Sequence, residues 1–354
     1  MSLKTMVFQK RSNHAKELAD FFFNKDILIT GGCGSIGSEI VKQLIAYSPK
    51  RIRVFDNNES GLFHLQEKLC SPLLRVLVGD IRDKERLRLA ARGCDIIFHA
   101  AALKHVPLCE YNPFEAVHTN VIGTQNLIEV ARDEQVKKMV AISTDKAANP
   151  INTMGATKLL AEKLIMTADI GEHCVTKFSC VRFGNVLNSV GSVIPIFKEQ
   201  IQRGGPVTIT SLEMTRFFMT MEAAVKLVLK SAVLSRGGEV FILKMKRLKV
   251  IDLAEAMIST FGPKYGHDPE KIDLKIIGVR PGEKLHEILV TEEERNHLLD
   301  AGDLYVIRQA KLLPKYQRVE KKIPEGSGNV DINDGVFLTK EQIADLLDTL
   351  HITL

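Results

Sequence analysis

Eight residues, Thr30-Gly31-Gly32-Cys33-Gly34-Ser35-Ile36-Gly37, constrain this chain more than any other feature. Gly31, Gly34 and Gly37 recur every third position, directly after the apolar run Asp26 to Thr30 and directly before a segment of helical periodicity. A strand that passes into a helix through such glycines lets the backbone approach a pyrophosphate closely. The helix opening at Ser35 and Ile36 then presents N–H groups and a partial positive charge to it. A glycine triplet alone also fits a plain tight turn, so the surrounding pattern has to carry the reading.

That pattern is regular. Strands are expected at Asp26 to Thr30, Arg51 to Phe55, Leu74 to Val78, Asp95 to His99 and Lys138 to Ser143, alternating with amphipathic stretches. The segment Phe114 to Arg132 places Val117, Val121, Leu127, Ile128 and Ala131 on one stripe at helical spacing, which should pack on the sheet. The fold class expected is α/β: a Rossmann-type doubly wound parallel sheet with a smaller, interleaved C-terminal substrate-binding region. Residues 1–23 are read as a helical extension and 24–183 as the dinucleotide-binding domain, with 205–245 returning to it. Residues 184–204 and 246–310 are read as the substrate region. The remainder, 311–354, is read as a tail, polar from Lys315 to Gly335 and ending in a helix from Lys340 to Leu350.

Composition excludes several classes. The chain has 354 residues, 48 Lys and Arg against 43 Asp and Glu, and 45% hydrophobic residues, which is ordinary for a globular protein. Its small positive balance is dispersed, so neither a nucleic-acid arm nor a membrane-surface patch is expected. Cys33, Cys70, Cys94, Cys109, Cys174 and Cys180 form no C-x-x-C pair, and no histidine tract has metal spacing, so no metal is expected and a reducing cytoplasm fits best. Lys4, Lys10, Arg11, Lys16, Glu17 and Asp20 interrupt any apolar leader, and no run is long enough to span a membrane.

Further residues fall where a dinucleotide and a second substrate would lie. Asp56 ends the second strand, 19 positions after Gly37. There a carboxylate can accept from a ribose 2′-hydroxyl and would repel a 2′-phosphate, favouring NAD over NADP; it can equally cap the next turn. Asp80 and Ile81 follow the third strand and suit the adenine edge, or form a solvated loop. Ser143-Thr144-Asp145-Lys146 follows the fifth strand, at the sheet edge where ligands sit. A carboxyl can serve as acid, a desolvated amine as base and a hydroxyl as relay. An ordinary helix-capping turn with a surface ion pair has the same residues. Met154 and Lys158 lie four apart on one helix face. Lys104 and His105 flank the expected cleft, with binding and structural roles equally open.

Taken in order, these segments resemble the extended short-chain dehydrogenases/reductases that act on nucleotide sugars, and among them the polysaccharide-biosynthesis nucleotide-sugar 4,6-dehydratases. The resemblance rests on Gly31, Gly34 and Gly37, on Ala100-Ala101-Ala102-Leu103-Lys104-His105-Val106-Pro107, on Asn120 with Gly123-Thr124, and on Ser143 to Lys158. It continues through Arg182-Phe183-Gly184-Asn185-Val186, Met214-Thr215-Arg216-Phe217 and Gly278-Val279-Arg280-Pro281-Gly282-Glu283-Lys284, and spans about residues 24 to 310. The superfamily usually carries Tyr where this chain has Met154, and a thioether cannot take a hydroxyl proton. Several members of the dehydratase subgroup also carry Met there, so the departure argues for that subgroup more than for a dead enzyme, and it weakens a simple 4-epimerase reading.

The resemblance implies a tightly bound, recycled NAD held by Gly31, Gly34, Ser35, Ile36, Gly37, Asp56, Asn57, Asp80, Ile81, Ala100, Ala101, Ala102, Lys104, Asn120 and Lys158. It implies Asp145 as acid at O6, Lys146 as base at C5, Thr144 at the C4 hydroxyl and Lys158 on the nicotinamide ribose, with Met154 in the catalytic set. Lys104, His105, Asn185, Arg216, Arg280 and Glu283 would bind the nucleotide sugar, UDP-N-acetylglucosamine by analogy, with Arg suited to paired phosphate oxygens. The product would be a UDP-4-keto-6-deoxy-N-acetylhexosamine for surface glycans, made by a cytoplasmic homo-oligomer. The residues leave open retention or inversion at C5 and UDP or GDP as carrier. A nucleotide-sugar 4-epimerase and a catalytically silent NAD- or nucleotide-sugar-binding protein stand as alternatives.

Overall fold

The computed structural model describes residues 15–169, 174–187, 189, 192–308 and 336–349. Helical residues 15–22 (α1) lead into β1 (Asp26–Thr30), α2 (Ser35–Ile45), β2 (Arg51–Asp56), α3 (Glu59–Leu69), β3 (Leu74–Val78), α4 (Lys84–Ala91) and β4 (Ile96–His99). Next come α5 (Val106–Tyr111), α6 (Pro113–Val117), a π-helical segment at His118–Ile122, α7 (Gly123–Asp133), β5 (Lys138–Ile142), α8 (Thr153–Thr167) and β6 (Lys177–Arg182). The second half begins with β7 (Asn185–Val186), α9 (Val193–Gln202), β8 (Val207–Ile209), β9 (Thr215–Met219), α10 (Met221–Leu234) and β10 (Glu239–Leu243). It ends with β11 (Lys246–Lys249), α11 (Val250–Phe261), β12 (Leu274–Ile276), α12 (Glu292–Arg295), β13 (Leu298–Asp300), β14 (Leu304–Arg308) and α13 (Lys340–Thr349).

The five strands read from the sequence are present, each end displaced by at most one residue. All five residues of β1 are buried, as expected of a central parallel strand covered on both faces. The main sheet runs β13-β14-β10-β6-β5-β4-β1-β2-β3. From β10 to β3 every pairing is parallel, whereas β14 runs antiparallel to β10 and β13 antiparallel to β14. Strand order reverses between β1 and β4, which opens a crevice beyond their carboxyl ends. Residue Phe22 of α1 is fully buried and lies against Tyr47 and Phe98, so this helix closes the amino-terminal side of the sheet.

The helix expected over 114–132 differs in detail. It is realised as α6, the π-helical segment and α7, and the wider π turn shifts the inward face by one residue. Ala116 and Asn120 therefore point inward while Val117 and Val121 are only half-buried; Leu127, Ile128 and Ala131 beyond the π turn are buried as expected.

A second layer holds the small sheets β11-β9-β7 and β12-β8, with a separate apolar core around Phe197, Phe218, Leu253 and Phe261. Strands β8 and β9 lie in this layer, α10 and β10 return to the main sheet, and β13 and β14 extend that sheet. Helix α13 adds Ile343 and Leu347 to the second core and is tied to α11 by the Lys340–Glu255 ion pair. The polar stretch read at Lys315 to Gly335 lies outside the described residues.

Candidate active site

The glycine turn is shaped by a close approach. Gly31 has φ +67°, and a Cβ there would stand 2.4 Å from the amide nitrogen of Ala101, so no larger residue fits between the ends of β1 and β4. Ala100 N–H donates to the Thr30 carbonyl at 3.0 Å, and Ala101 and Ala102 follow in the loop after β4. Gly34 caps α2 with no side chain, which keeps the positive helix end from being neutralised by a capping carboxylate. Asp56 braces the turn: one oxygen accepts from Cys33 N–H at 2.9 Å and the other from Asn58 N–H at 3.0 Å. Burial and the Asp56 charge push the Cys33 thiol up to about 12, so it stays neutral. Asp56 thus caps the turn at the end of β2. Asn57 beside it is exposed. Asp80 is clasped by Arg82, whose Nε and Nη2 lie 3.0 and 2.7 Å from its two oxygens and hold its carboxyl below the usual range. The Ile81 side chain is buried against Gly123.

Behind the crevice runs a buried polar chain that the sequence reading did not anticipate. His99 Nδ1 lies 2.7 Å from Thr30 Oγ1, and its Nε2 lies 3.0 Å from Thr124 Oγ1. The Thr124 hydroxyl proton is given to the Asn120 carbonyl at 2.7 Å, so Nε2 carries the imidazole proton and Nδ1 accepts from Thr30. Burial, assisted by the Lys158 charge, lowers the His99 pKa to about 3 and keeps the ring neutral. The Asn120 amide then bonds both backbone groups of Leu103 and donates to Thr157 Oγ1 at 3.0 Å on α8. Asn120 therefore fixes the loop after β4 against α8 with its own side chain.

Four charged groups converge at the end of β5. Thr144 Oγ1 donates to Asp145 Oδ1 at 2.9 Å, and Lys146 Nζ donates to the same oxygen at 3.0 Å. Glu287 Oε1 lies 3.4 Å from Lys146 Nζ, and Lys284 Nζ lies 3.8 Å from Glu287 Oε2. Asp145 and Glu287 are buried, whereas the Lys146 side chain remains 22% exposed. Burial alone would lower the Lys146 pKa; Asp145 and Glu287 outweigh it and raise it above the ordinary lysine value. Among the described residues, Asp145 Oδ2 and Ser143 Oγ are buried with no hydrogen-bond partner, leaving acceptor capacity at this edge. Lys158 Nζ donates to the Ile142 carbonyl at 2.6 Å, and burial lowers its pKa. Met154 is 3% exposed and packs with Cys109, Ala116 and Val106, so its thioether serves an apolar cluster.

A second group of charged residues lies on one loop, 278–287. Asn152 caps α8 through Gly155 N–H at 2.7 Å and donates to the Gly282 carbonyl at 2.7 Å, locking the loop to α8. Lys284 Nζ donates to the Ala148 carbonyl at 2.7 Å, a second tie, to the turn after β5. Glu283 joins the two arginines: Oε1 lies 3.2 Å from Arg216 Nη2, and Oε2 accepts from the Arg280 amide at 3.3 Å. Arg216 is nearly buried, whereas Arg280, Lys104 and His105 are exposed. Asn185, half-buried in β7, follows Gly184, whose backbone lies against Asp145. Of the site residues read from the sequence, Thr144 and Lys146 meet on Asp145, and Arg216 and Arg280 are joined through Glu283. Glu287 was missed, because Leu285-His286-Glu287 reads as an ordinary polar loop. Arg182 is an anchor: its guanidinium forks onto Glu162 and Glu294 and also reaches the Leu289 carbonyl.

Among the described residues no group of three His, Cys, Asp or Glu side chains could hold a metal ion, and no helix is long and apolar enough to cross a membrane.

The chain is similar to several known proteins. A Methanocaldococcus jannaschii protein described as an uncharacterized membrane protein is 54% identical over 94% of this chain and 98% of its own. A UDP-N-acetylglucosamine 4,6-dehydratase (inverting) of Campylobacter jejuni is 43% identical, covering 81% of this chain and 83% of its own. A UDP-glucose 4-epimerase of Rickettsia canadensis is 37% identical over 93% and 97%. Among solved structures, Pen from Bacillus thuringiensis superposes with a TM-score of 0.84 at 39% identity, covering 94% of this chain and 99% of that one. The profile of the polysaccharide biosynthesis protein family matches residues 27–309, and the chain belongs to that family.

Proposed function

We propose that this protein is a nucleotide-sugar 4,6-dehydratase acting on UDP-N-acetylglucosamine with NAD, giving a UDP-4-keto-6-deoxy-N-acetylhexosamine. The observation that carries the reading is the single oxygen Asp145 Oδ1, which receives both the Thr144 hydroxyl at 2.9 Å and the Lys146 ammonium at 3.0 Å. A relay, an acid and a base on one carboxylate are what an elimination across C5 and C6 needs.

The residues present fit the dinucleotide. Gly31 leaves a cradle that a Cβ would fill, α2 offers an end without a side-chain cap, and Asp56 stands at the second-strand position that reads a free 2′-hydroxyl. Lys158 would hold the nicotinamide ribose, and its burial-lowered pKa favours donation near C4. When bound, the cofactor supplies hydride acceptance at C4 and hydride return at C6.

The chain's own residues move the protons. A threonine hydroxyl is a weak base by itself and needs a neighbour to take its proton. Asp145 is that neighbour, so the C4 hydroxyl proton passes through Thr144 to Asp145 and converts it to the acid required at O6. The 4-ketone acidifies C5–H, Lys146 removes that proton, and Asp145 protonates the departing C6 hydroxyl. Met154, sunk in its apolar cluster, contributes shape alone. The exposed Arg280, linked through Glu283 to Arg216, would grip the diphosphate.

The test is proton NMR of the purified protein with UDP-N-acetylglucosamine and NAD+ in D2O. A new C6 methyl signal with deuterium at C5 is expected. Asp145→Asn and Lys146→Ala should each slow its appearance by about 10²-fold or more; wild-type rates in both would overturn the assignment. The epimerase relatives favour a second reading, in which only C4 inverts and the C6 hydroxyl stays. The same spectra separate the two.

A further inference from the structure

The relay through Thr144 and Asp145 leaves one requirement unmet: Lys146 must be a neutral amine when it meets C5–H. In the resting site it is an ammonium held between two carboxylates, Asp145 at 3.0 Å and Glu287 at 3.4 Å. Once Asp145 has taken the C4 proton, Glu287 is the remaining carboxylate beside Nζ.

We infer that Glu287 accepts the Nζ proton of Lys146 after Asp145 is protonated, and returns it when C5 has been reprotonated. This rests on the dehydratase reading. The placement of Glu287 is built rather than incidental. Its side chain is almost fully buried, and its backbone carbonyl accepts from Arg247 Nη2 at 3.2 Å. Arg247 in turn lies over the Phe217 ring at 4.8 Å. Lys284, tied to the Ala148 carbonyl, stands on the far side of the carboxylate, and Glu287 Oε2 has no hydrogen-bond partner. The 3.4 Å gap needs to close by only a few tenths of an ångström to make a transfer-competent hydrogen bond, a tightening common when substrate enters. The charged groups around Lys146 are Asp145, Glu287 and Arg216, and Lys284 faces both carboxylates; Glu287 is the acceptor among them.

The protons balance. At rest Asp145 and Glu287 are carboxylates and Lys146 is an ammonium. The C4 hydroxyl proton moves by way of Thr144 to Asp145 as C4 gives hydride to the nicotinamide dinucleotide. The Lys146 ammonium proton passes to Glu287 Oε1. The amine takes the C5 proton, the C5–H electron pair becomes the C5–C6 double bond, and the C6–O bond breaks with the proton of Asp145, releasing water. Hydride returns to C6, Lys146 reprotonates C5, and Glu287 gives its proton back to Lys146. Every residue ends as it began and the sugar has lost one water.

Glu287 is a positioning residue, since it acts through Lys146, and its test must read more than lost activity. In the wild type the Nζ proton leaves internally, so kcat should be nearly flat with pH through neutrality. In Glu287→Gln it must leave to solvent: kcat should fall by about 10²-fold at neutral pH with KM little changed, and log kcat should then climb by about one for each alkaline pH unit. Glu287→Asp should recover most of the rate, which guards against a folding defect. A second readout needs no turnover: side-chain 1H–15N correlation of the lysine ammonium groups, with the Lys146 signal assigned by Lys146→Arg. Loss of the neighbouring carboxylate in Glu287→Gln should lower the pH at which that ammonium deprotonates by about one unit. Wild-type kcat in Glu287→Gln, an unaltered pH profile or an unmoved Lys146 titration would each overturn the proposal. If the Lys146 titration shifts but the wild type forms no dehydrated product, the dehydratase reading fails while the charge coupling stands.

Discussion

Gly184 and Asp145 are matched in space: a Cβ on residue 184 would lie 3.1 Å from Asp145 Oδ2 and 2.7 Å from the Cβ of Phe217. The carboxylate on which the proposed proton path turns is therefore seated against bare backbone, and its buried Oδ2 has no other partner. Gly184→Ala should displace Asp145 or Phe217 and lower kcat by at least about tenfold, since small misplacements of a reacting group are costly. Steady-state kinetics alongside a thermal melt checks this; a melt that falls while kcat holds would contradict it.

Asp56 should govern both the stiffness of the glycine turn and the choice of dinucleotide. Replacing it by Ala removes the acceptor for Cys33 and Asn58 N–H and the repulsion of a 2′-phosphate. NAD+ binding by calorimetry is expected to weaken by about tenfold, with NADP+ binding improved relative to it. An unchanged NAD+ to NADP+ ratio would show that Asp56 only braces the turn.

Arg182 is 1% exposed and satisfies two carboxylates at once, Glu162 at 2.5 Å and Glu294 at 2.8 Å. Arg182→Met leaves Glu162 buried and uncompensated, which should cost about 3–5 kcal/mol in urea unfolding. Adding Glu162→Gln should restore part of that loss. A fully additive double variant would mean the pair does not act as a unit.

His99 makes stability depend on pH in a definite direction. Its pKa is about 3 in the folded chain against an ordinary 6.5, so the unfolded chain binds more protons between those values. Stability from this group is complete above about pH 6.5 and is lost as pH falls toward about 3. Between pH 6.5 and pH 5 the loss should be about 2 kcal/mol. His99→Gln lowers stability at every pH but should remove this part of the slope; a variant with the wild-type slope would refute the assignment.

Much of this was legible in the sequence for physical reasons. Parallel strands buried on both faces leave continuous apolar runs, as in β1 and β4, and β2 and β3 still interleave basic residues with Ile, Leu, Val and Phe, so β1 through β5 were read nearly to the residue. The glycine turn and the Thr144-Asp145-Lys146 edge were legible because their chemistry is local. The inward turn of Asn120 was not, since the wider turn of the π-helical segment His118–Ile122 moves a stripe sideways in a way the sequence does not mark. The strands β13 and β14 were hidden as well, because they pair antiparallel at the sheet's edge and lack the long buried run of a central strand. Glu287 was invisible for another reason: only the folded loop buries it beside Lys146.

The loop 278–287 carries Arg280, Glu283, Lys284 and Glu287 within ten residues, and it is stitched to the start of α8 through Asn152. Under the proposed function, recognition of the carrier nucleotide and tuning of the chemical step would thereby be inherited together. An engineer who grafts this loop from a homologue to change the nucleotide handle would transplant the partner of the base in the same cut. Specificity and rate should then drift as a linked pair across the family, with intermediate chimaeras that split the loop being poorer than either parent.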